Sequence, residues 1–142
     1  MSDFCDFLEL NLLDHAFGGD DFVRPAVVHI GLSTTEPADD GSNITEPTDG
    51  YSRVELANEG ENSVWSDAEI NEAGYAEKEN IDAITFPEPT GNWGTVTHFF
   101  LVFEDGEVDN FLGAGEFPEP KTVESGDDPV TFNVGELIIT LD

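Results

Sequence analysis

Apolar residues near the start of the chain recur every four positions, which is the spacing of one face of an α-helix. The recurring residues are Phe4, Leu8, Leu12 and Ala16. Ser2 or Asp3 is the predicted N-cap, because a short polar side chain accepts a hydrogen bond from the first unpaired N–H groups of a helix. Gly18-Gly19 would end it. The pattern predicts an amphipathic α-helix within residues 1–19.

The apolar face of this helix is wide, because Leu10, Leu13 and Phe17 add to it. An apolar face of this width has to be buried against another surface. Either the sheet of the same domain or a neighbouring subunit would cover it, and the sequence leaves both open.

Short apolar runs separated by Gly, Pro and Asp follow the helix and predict β-strands. The predicted strands are residues 27–32, 51–56, 81–86, 95–103, 108–112, 130–132 and 137–141. Residues 104–107 predict a tight hairpin turn, because Asp105-Gly106 accommodates positive φ. No helical pattern lies between the strands. We therefore predict a mainly β fold, an antiparallel, jelly-roll-like β-sandwich over residues 20–142, which forms a single domain (1–142) with the helix.

Two acidic segments, residues 33–50 and 57–80, interrupt the strand pattern. We predict solvated loops, with one short strand at Val64-Trp65. Long loops on a rigid scaffold also carry binding sites, so contact with a partner is the alternative interpretation.

The net charge changes the expected surroundings of this protein. Thirty-two Asp and Glu residues outnumber the four cations, which leaves a charge of −28. Repulsion of this size opposes a compact state unless salt screens it, and the Debye length falls to about 3 Å at 1 M salt. Disorder is not expected, because 38% of the residues are hydrophobic and eleven are Phe. The charge predicts a salt-adapted protein with loosely bound salt cations. It argues against nucleic acid and anionic membranes as partners, since both need a basic surface.

Side chains that could carry chemistry show no catalytic or metal-binding spacing. The candidates are His15, His29, His98, and the pairs Asp20-Asp21, Asp39-Asp40 and Asp127-Asp128. The histidines match no metal motif, and the Asp pairs lack the alternating oxygen ligands of a calcium loop. Cys5 is the only cysteine, so it forms no intrachain disulfide. We predict structural histidines, no catalytic residue, no metal site and no cofactor.

Two further residues have both a structural and a functional interpretation. Asn43 begins a formal N-glycosylation sequon, a tripeptide that also arises often by chance. Trp93 is predicted to cap one end of the sandwich core. A sugar-stacking platform on a turn is the alternative for this side chain.

Several segments along the chain form one recognisable combination of motifs. They are residues 7–19 (FLELNLLDHAFGG), 25–37 (PAVVHIGLSTTEP), 50–54 (GYSRV), 84–87 (ITFP), 92–98 (NWGTVTH), 120–123 (PKTV), 126–127 (GD), 135 and 137–142. Together they resemble a family of small virion proteins of tailed phages, often labelled tail-fibre-like. The chain departs from the family's pattern in the insertion-like segment 57–80 and in its many acidic surface residues. The resemblance implies a non-enzymatic structural protein.

From these patterns and the resemblance we predict a structural protein of a haloarchaeal tailed virus. An oligomeric capsid decoration or turret subunit is the main hypothesis, and a tail-fibre or baseplate subunit contacting the host surface is the alternative. A polysaccharide hydrolase and a cellular salt-adapted binding module are rivals of other classes. Expected partners are further copies of the chain, other virion proteins and a host surface glycan. The expected location is the virion surface after assembly in the host cytoplasm, since no signal peptide or membrane span is evident.

Overall fold

The computed structural model describes residues 3–105 and 108–141, and β-strands dominate them. Their helical elements are α1 (Asp6–Ala16) and a 3₁₀ turn (Gly60–Asn62). The strands are β1 (Asp3–Phe4), β2 (Val27–Ser33), β3 (Val54–Ala57), β4 (Glu69–Ile70), β5 (Ala76–Glu79), β6 (Ile84–Thr85), β7 (Gly94–Asp105), β8 (Val108–Val123), β9 (Thr131–Phe132) and β10 (Ile138–Leu141). These strands pair antiparallel. The predicted fold class, mainly antiparallel β with one helix near the N-terminus, is confirmed.

The main sheet has five strands in the order β1-β8-β7-β2-β3. The β7–β8 hairpin forms its centre, with Asp105 opposite Val108 at one end and Gly94 opposite Val123 at the other. The turn residues 106–107 lie outside the described residues. Of the predicted Asp105-Gly106 turn, Asp105 is the last residue of β7 and Gly106 lies outside the described residues, whereas the two flanking strands pair as a hairpin requires.

Strand β7 is buried on both faces of the main sheet. Phe99 and Leu101 belong to the larger apolar cluster, and Phe100 and Val102 belong to a smaller one on the opposite face. Successive side chains of a strand point to opposite faces, so a strand covered on both sides shows a continuous apolar run. This double burial explains the uninterrupted run at residues 99–103.

Two small sheets complete a sandwich-like arrangement. They have the orders β10-β5-β4 and β6-β9, and their neighbourhoods supply Ile84, Phe86, Val130, Phe132 and Leu137 to the larger apolar cluster. The ring of Phe132 lies 5.4 Å from that of Phe99 and 5.5 Å from that of Phe117, between centroids. Aromatic packing therefore joins β9 to the central hairpin.

The N-terminal helix begins later than predicted. Asp3 and Phe4 form β1, opposite Ala114 and Gly113 of β8, so Asp3 is not the N-cap. Cys5 takes that position without a capping hydrogen bond from its side chain to the helix, and Ser2 lies outside the described residues. Pairing with the sheet edge uses the backbone of Asp3 and Phe4, which therefore cannot join the helix. The predicted helical segment 1–19 thus contains a strand and an 11-residue helix.

Three predicted strands differ from the observed ones by more than two residues at one end. The strand predicted at 51–56 is β3 (Val54–Ala57), and that at 81–86 shrinks to β6 (Ile84–Thr85). The strand predicted at 108–112 extends through Val123. Pro118 and Pro120 lie within this strand, where the β7–β8 register shifts between the Glu116–His98 and Lys121–Val96 pairs. A proline is tolerated there because no ladder hydrogen bond needs its missing N–H.

The two acidic segments are more ordered than the predicted solvated loops. Segment 33–50 folds back on itself, with Thr34 N–H donating to the Thr45 carbonyl at 2.9 Å and Ala38 N–H to that of Ser42 at 2.9 Å. Segment 57–80 contains the 3₁₀ turn, β4 and β5, so its assignment as a loop is wrong. Of the predicted strand Val64-Trp65, Trp65 forms an isolated bridge with Asn80. None of the described helices is long and apolar enough to cross a bilayer.

Candidate functional site

The histidines do not converge on a common site. His29 lies opposite Val102 and His98 opposite Ser33, four positions apart along β2, which separates them by roughly 13 Å along the strand. His15 lies on α1, where its Nδ1 accepts the N–H of Phe22 at 3.2 Å. Within residues 3–105 and 108–141, no cluster of three or more His, Cys, Asp or Glu side chains is placed to hold a metal ion.

Arg53 organises the densest polar cluster of the described residues. Its guanidinium donates to Glu46 through Nε (2.9 Å) and Nη2 (3.0 Å), and its Nη1 donates to Glu104 (3.0 Å) and Asp109 (2.9 Å). The same group lies over the ring of Phe100, 5.3 Å from its centroid. The hydrogen bonds with Glu46, more than any other contact, raise the pKa of Arg53. One cation thus holds together segment 33–50 and both strands of the central hairpin.

Tyr51 and His29 extend this cluster. The Tyr51 hydroxyl donates to Glu46 Oε1 at 2.7 Å and accepts the N–H of Leu32 at 2.9 Å. Burial, followed by the hydrogen bond to Glu46, raises the pKa of Tyr51. His29 Nε2 lies 3.1 Å from Glu104 Oε2, while its buried Nδ1 has no partner among the described residues. Each anion here is already occupied by a donor of the chain, so the arrangement stabilises the fold rather than offering a nucleophile or base to a ligand.

One residue in each of two adjacent Asp pairs acts locally, in a turn. Asp40 Oδ1 accepts the N–H of Ser42 at 2.9 Å, and Asp127 Oδ2 accepts the N–H of Glu124 at 2.8 Å. Hydrogen bonds from Ser42 lower the pKa of Asp40. The Asp40 and Asp127 carboxylates satisfy turn N–H groups in the way that favours Asp at turns. In the third pair, Asp21 lies 3.5 Å from His15 on the exposed surface.

Trp93 is a core residue. Its side chain is 4% exposed, its Nε1–H donates to the Asp49 carbonyl at 3.0 Å, and its ring meets that of Tyr51 edge-on at 5.6 Å. The predicted cap on the core is confirmed and the sugar-stacking platform is wrong, because the indole faces are covered by protein. Asn43 is exposed with φ of +63°, and its Nδ2 donates to the Glu36 carbonyl at 2.8 Å.

Cys5 is buried, at 2% exposure, and its thiol donates to the Phe111 carbonyl. Burial raises the pKa of the Cys5 thiol. A thiol that is kept protonated and covered is a poor nucleophile, so the geometry gives Cys5 a packing role.

One surface depression is almost entirely apolar, and we call it the apolar groove. Its volume is about 190 Å³, and its apolar walls include Phe4, Leu8, Phe22, Trp65, Leu112 and Ile139. Asn58 fixes one wall, since its Oδ1 accepts Trp65 Nε1–H at 2.9 Å and its Nδ2 donates to the Pro25 carbonyl at 2.9 Å. The groove is below the range of roughly 300–1,000 Å³ typical of small-molecule sites. Its size suits a protruding side chain better.

Arg24 and Lys78 also line the apolar groove. Neither side chain forms a hydrogen bond or ion pair within the described part of the chain. They are two of only four cations in a chain with 32 carboxylates. Two unpaired cations beside apolar walls make this the most distinctive surface of the described residues.

The outer face of α1 is a second unpartnered surface. Leu10, Leu13 and Phe17 are 64%, 59% and 83% exposed, and Asp14, one turn from Leu10 and Phe17, is exposed among them. We call these four residues the helix stripe. On the inner face, Phe7 and Leu8 pack against the core. The domain's own sheet thus covers half of the wide apolar face predicted from the sequence, and the other half is bare.

Sequence reasoning missed the Arg53 cluster and the apolar groove. Glu46, Arg53, Glu104 and Asp109 are far apart in the chain, and acidic residues are too abundant for any one of them to stand out. The scarcity of cations could have pointed to both sites. With only four basic residues against 32 acidic ones, each basic residue was a candidate centre of an ion-pair cluster or a binding surface.

Comparison with known proteins places the chain in a family. No curated protein matches the chain. The family described as "Podophage GP4 fiber I protein gp80" matches residues 3–140. The match covers the strands and helix described above, including both surfaces just defined. The chain therefore belongs to the podophage GP4 fiber I protein gp80 family, a family of phage structural fibre proteins and hence of virion components.

Proposed function

We propose that this protein is a fibre subunit of a tailed virus, mounted on the tail and contacting the host surface. The observation that carries the proposal is the family match across residues 3–140, since it spans the folded chain rather than one motif. Membership of a structural fibre family, not an enzyme family, also favours a non-enzymatic role.

A capsid decoration or turret subunit was the main hypothesis from the sequence. The family description names a fibre and does not mention the capsid, so it favours the tail-fibre alternative. The structure contributes an argument of its own, because the helix stripe and the apolar groove are bare surfaces suited to assembly with other subunits or virion proteins. A host surface glycan is the proposed target, although Trp93 cannot be the stacking platform that contacts it.

A host environment of molar salt is the second part of this proposal. The charge of −28 supports it, as does the arrangement of the cations, because Arg53 is shared among three carboxylates and two other cations are unpaired within the described residues. Most carboxylates thus depend on solvent ions for screening. We propose a haloarchaeal virus on this basis.

Immunogold labelling of purified virions with antibody against this chain tests the location. Gold at the tail supports the fibre proposal. Gold over the head would replace it with the decoration hypothesis, and unlabelled intact particles would contradict a place on the virion surface.

Competition for adsorption tests the host contact. Folded soluble protein added before the virus should slow adsorption in molar salt, and thermally unfolded protein is the control. An unchanged adsorption rate at saturating folded protein would contradict direct host contact.

A further inference from the structure

We propose that copies of this chain bind one another by inserting the helix stripe of one copy into the apolar groove of the next. The stripe residues are Leu10, Leu13, Asp14 and Phe17, and the groove carries Arg24 and Lys78 beside its apolar walls. The proposal does not depend on the tail location, because it concerns the contact between copies and not what the assembled particle touches.

The two surfaces are complementary in chemistry. The stripe presents three large apolar side chains with one carboxylate among them, and the groove presents apolar walls with two unpaired cations. Burial of the apolar side chains drives association, and pairing of Asp14 with Arg24 or Lys78 sets the register. The chain has 28 more acidic than basic residues, so nearly every surface segment carries a carboxylate. An unpaired cation beside the groove would therefore favour binding of an acidic segment from another copy.

The stripe cannot fill the groove of its own molecule. Leu8 lines the groove and Phe17 belongs to the stripe. Nine positions separate them, roughly two and a half helical turns, which places the two side chains on opposite sides of α1. The occupant of the groove must therefore come from another copy. Two copies could each insert their stripe into the other's groove and form a closed dimer. Alternatively, each copy could bind the next head to tail, which builds rings or fibres.

The rim of the groove is rigid enough to act as a receptor. Asn58 ties Trp65 to Pro25, and Lys78 belongs to β5, which is paired on both sides by β4 and β10. A preorganised groove loses little conformational freedom on binding. Phe17 by contrast is 83% exposed and meets no core residue, so removing its ring tests assembly without affecting the fold.

The first test is the oligomeric state of the full-length protein in molar KCl, measured by sedimentation equilibrium. The unchanged protein should associate. Phe17→Ser should weaken association at least about tenfold. The matched control Val134→Ser, at a site 62% exposed that belongs to neither surface, should leave association unchanged. A monomeric unchanged protein, or association unaffected by Phe17→Ser, would overturn the proposal.

The second test identifies the groove as the receptor by charge exchange. Asp14→Lys and Lys78→Glu should each weaken association, and the double variant Asp14→Lys/Lys78→Glu should recover much of it. Circular dichroism in the same salt confirms that each variant is folded. If neither this double variant nor Asp14→Lys/Arg24→Glu associates better than its weaker single variant, Asp14 contacts neither groove cation and the proposed pairing is wrong.

Discussion

Asn80 shows how much of this fold rests on one buried side chain. It is fully buried, its Nδ2 donates to the carbonyls of Asp82 (2.8 Å) and Asn133 (3.0 Å), and its Oδ1 accepts the N–H of Leu137 at 2.9 Å. Its backbone N–H and carbonyl pair with Leu137 and Gly135. A buried amide with every group satisfied holds the segment after β5 against the approach to β10.

Replacing Asn80 by Leu should destabilise the protein by at least about 2 kcal/mol, because each buried group left unpaired costs roughly 1–3 kcal/mol. Denaturant unfolding in molar salt measures the loss. Asn92→Ala is the matched control, since Asn92 is exposed and accepts a single hydrogen bond, from Ser125 at 3.2 Å. Equal losses for the two variants would mean that the Asn80 hydrogen bonds contribute little.

The raised pKa of Tyr51 predicts that the protein loses stability at alkaline pH. Its folded pKa is raised by burial and by Glu46, so the phenol stays protonated in the folded state while the unfolded chain ionises near pH 10. Stability contributed by Tyr51 is therefore present below pH 10 and lost as the pH rises above it. Tyr51→Phe should make the fall in melting temperature above pH 10 shallower. Tyr75→Phe, at a side chain 44% exposed, is the control and should leave the slope unchanged.

Among the elements, the two-residue strands β6 and β9 are the least able to persist alone. Their pairing consists of Ile84–Phe132 and Thr85–Thr131, and an isolated two-stranded ribbon is marginal in water. Phe132 anchors it, since its ring contacts those of Phe86, Phe99 and Phe117. The ribbon is stable because side chains pack it onto the main sheet, not because of its own hydrogen bonds.

Phe132→Ala should cost roughly 3–5 kcal/mol, the usual range for removing a buried aromatic ring. The loss of stability should affect the ribbon before the main sheet. The Phe86 N–H, which donates to the Val130 carbonyl at 2.9 Å, should therefore exchange with solvent faster than the amides of β7. Val134 is exposed and lies two positions after Phe132. Val134→Ala is the control, and its free energy of unfolding should stay within about 0.5 kcal/mol of that of the unchanged protein. Uniform acceleration of exchange across β7 and β9 would contradict a separate role for the ribbon.

For the whole molecule, charge and hydrophobic burial act in opposite directions. The core contains seven described Phe and Trp residues below 9% exposure, namely Phe86, Trp93, Phe99, Phe100, Phe111, Phe117 and Phe132. Trp65 packs beside them, partly buried. Against this burial stands a surface of unpaired carboxylates. Which of the two dominates depends on the ionic strength, because screening weakens the repulsion and leaves burial intact.

The melting temperature should therefore rise steadily from low to molar KCl. Sucrose at matched osmolality is the control, because it does not screen charge. At low salt, lowering the pH toward the pI of about 4.1 should partly replace salt by neutralising carboxylates. Asp40 and Glu136 oppose this gain, because folding lowers their pKa values. The stability that their ionised carboxylates contribute is lost as the falling pH protonates them. Equal melting temperatures in low and molar KCl would contradict salt adaptation.

Features that depend on residues close together in the chain could be predicted from the local sequence pattern. Periodicity gave a helix over most of residues 6–16, the positions of β2, β7 and β10, and the mainly antiparallel β class. The motifs around His29 and Trp93 pointed to a phage fibre-like family, and the family match over residues 3–140 agrees with that.

Features that depend on residues distant in the chain could not be predicted in this way and are seen only in the folded protein. Asp3-Phe4 is a strand because β8 offers it an edge, and the acidic residues 76–79 are a strand because β10 pairs with them. Arg53 meets Glu46, Glu104 and Asp109 only after the central hairpin and segment 33–50 are in place. The physical reason is the same in each case. The local pattern determines whether a segment has the apolar periodicity of a helix or a strand. The sheet edge or buried pocket against which that segment packs is formed by residues elsewhere in the chain, which the local sequence does not specify.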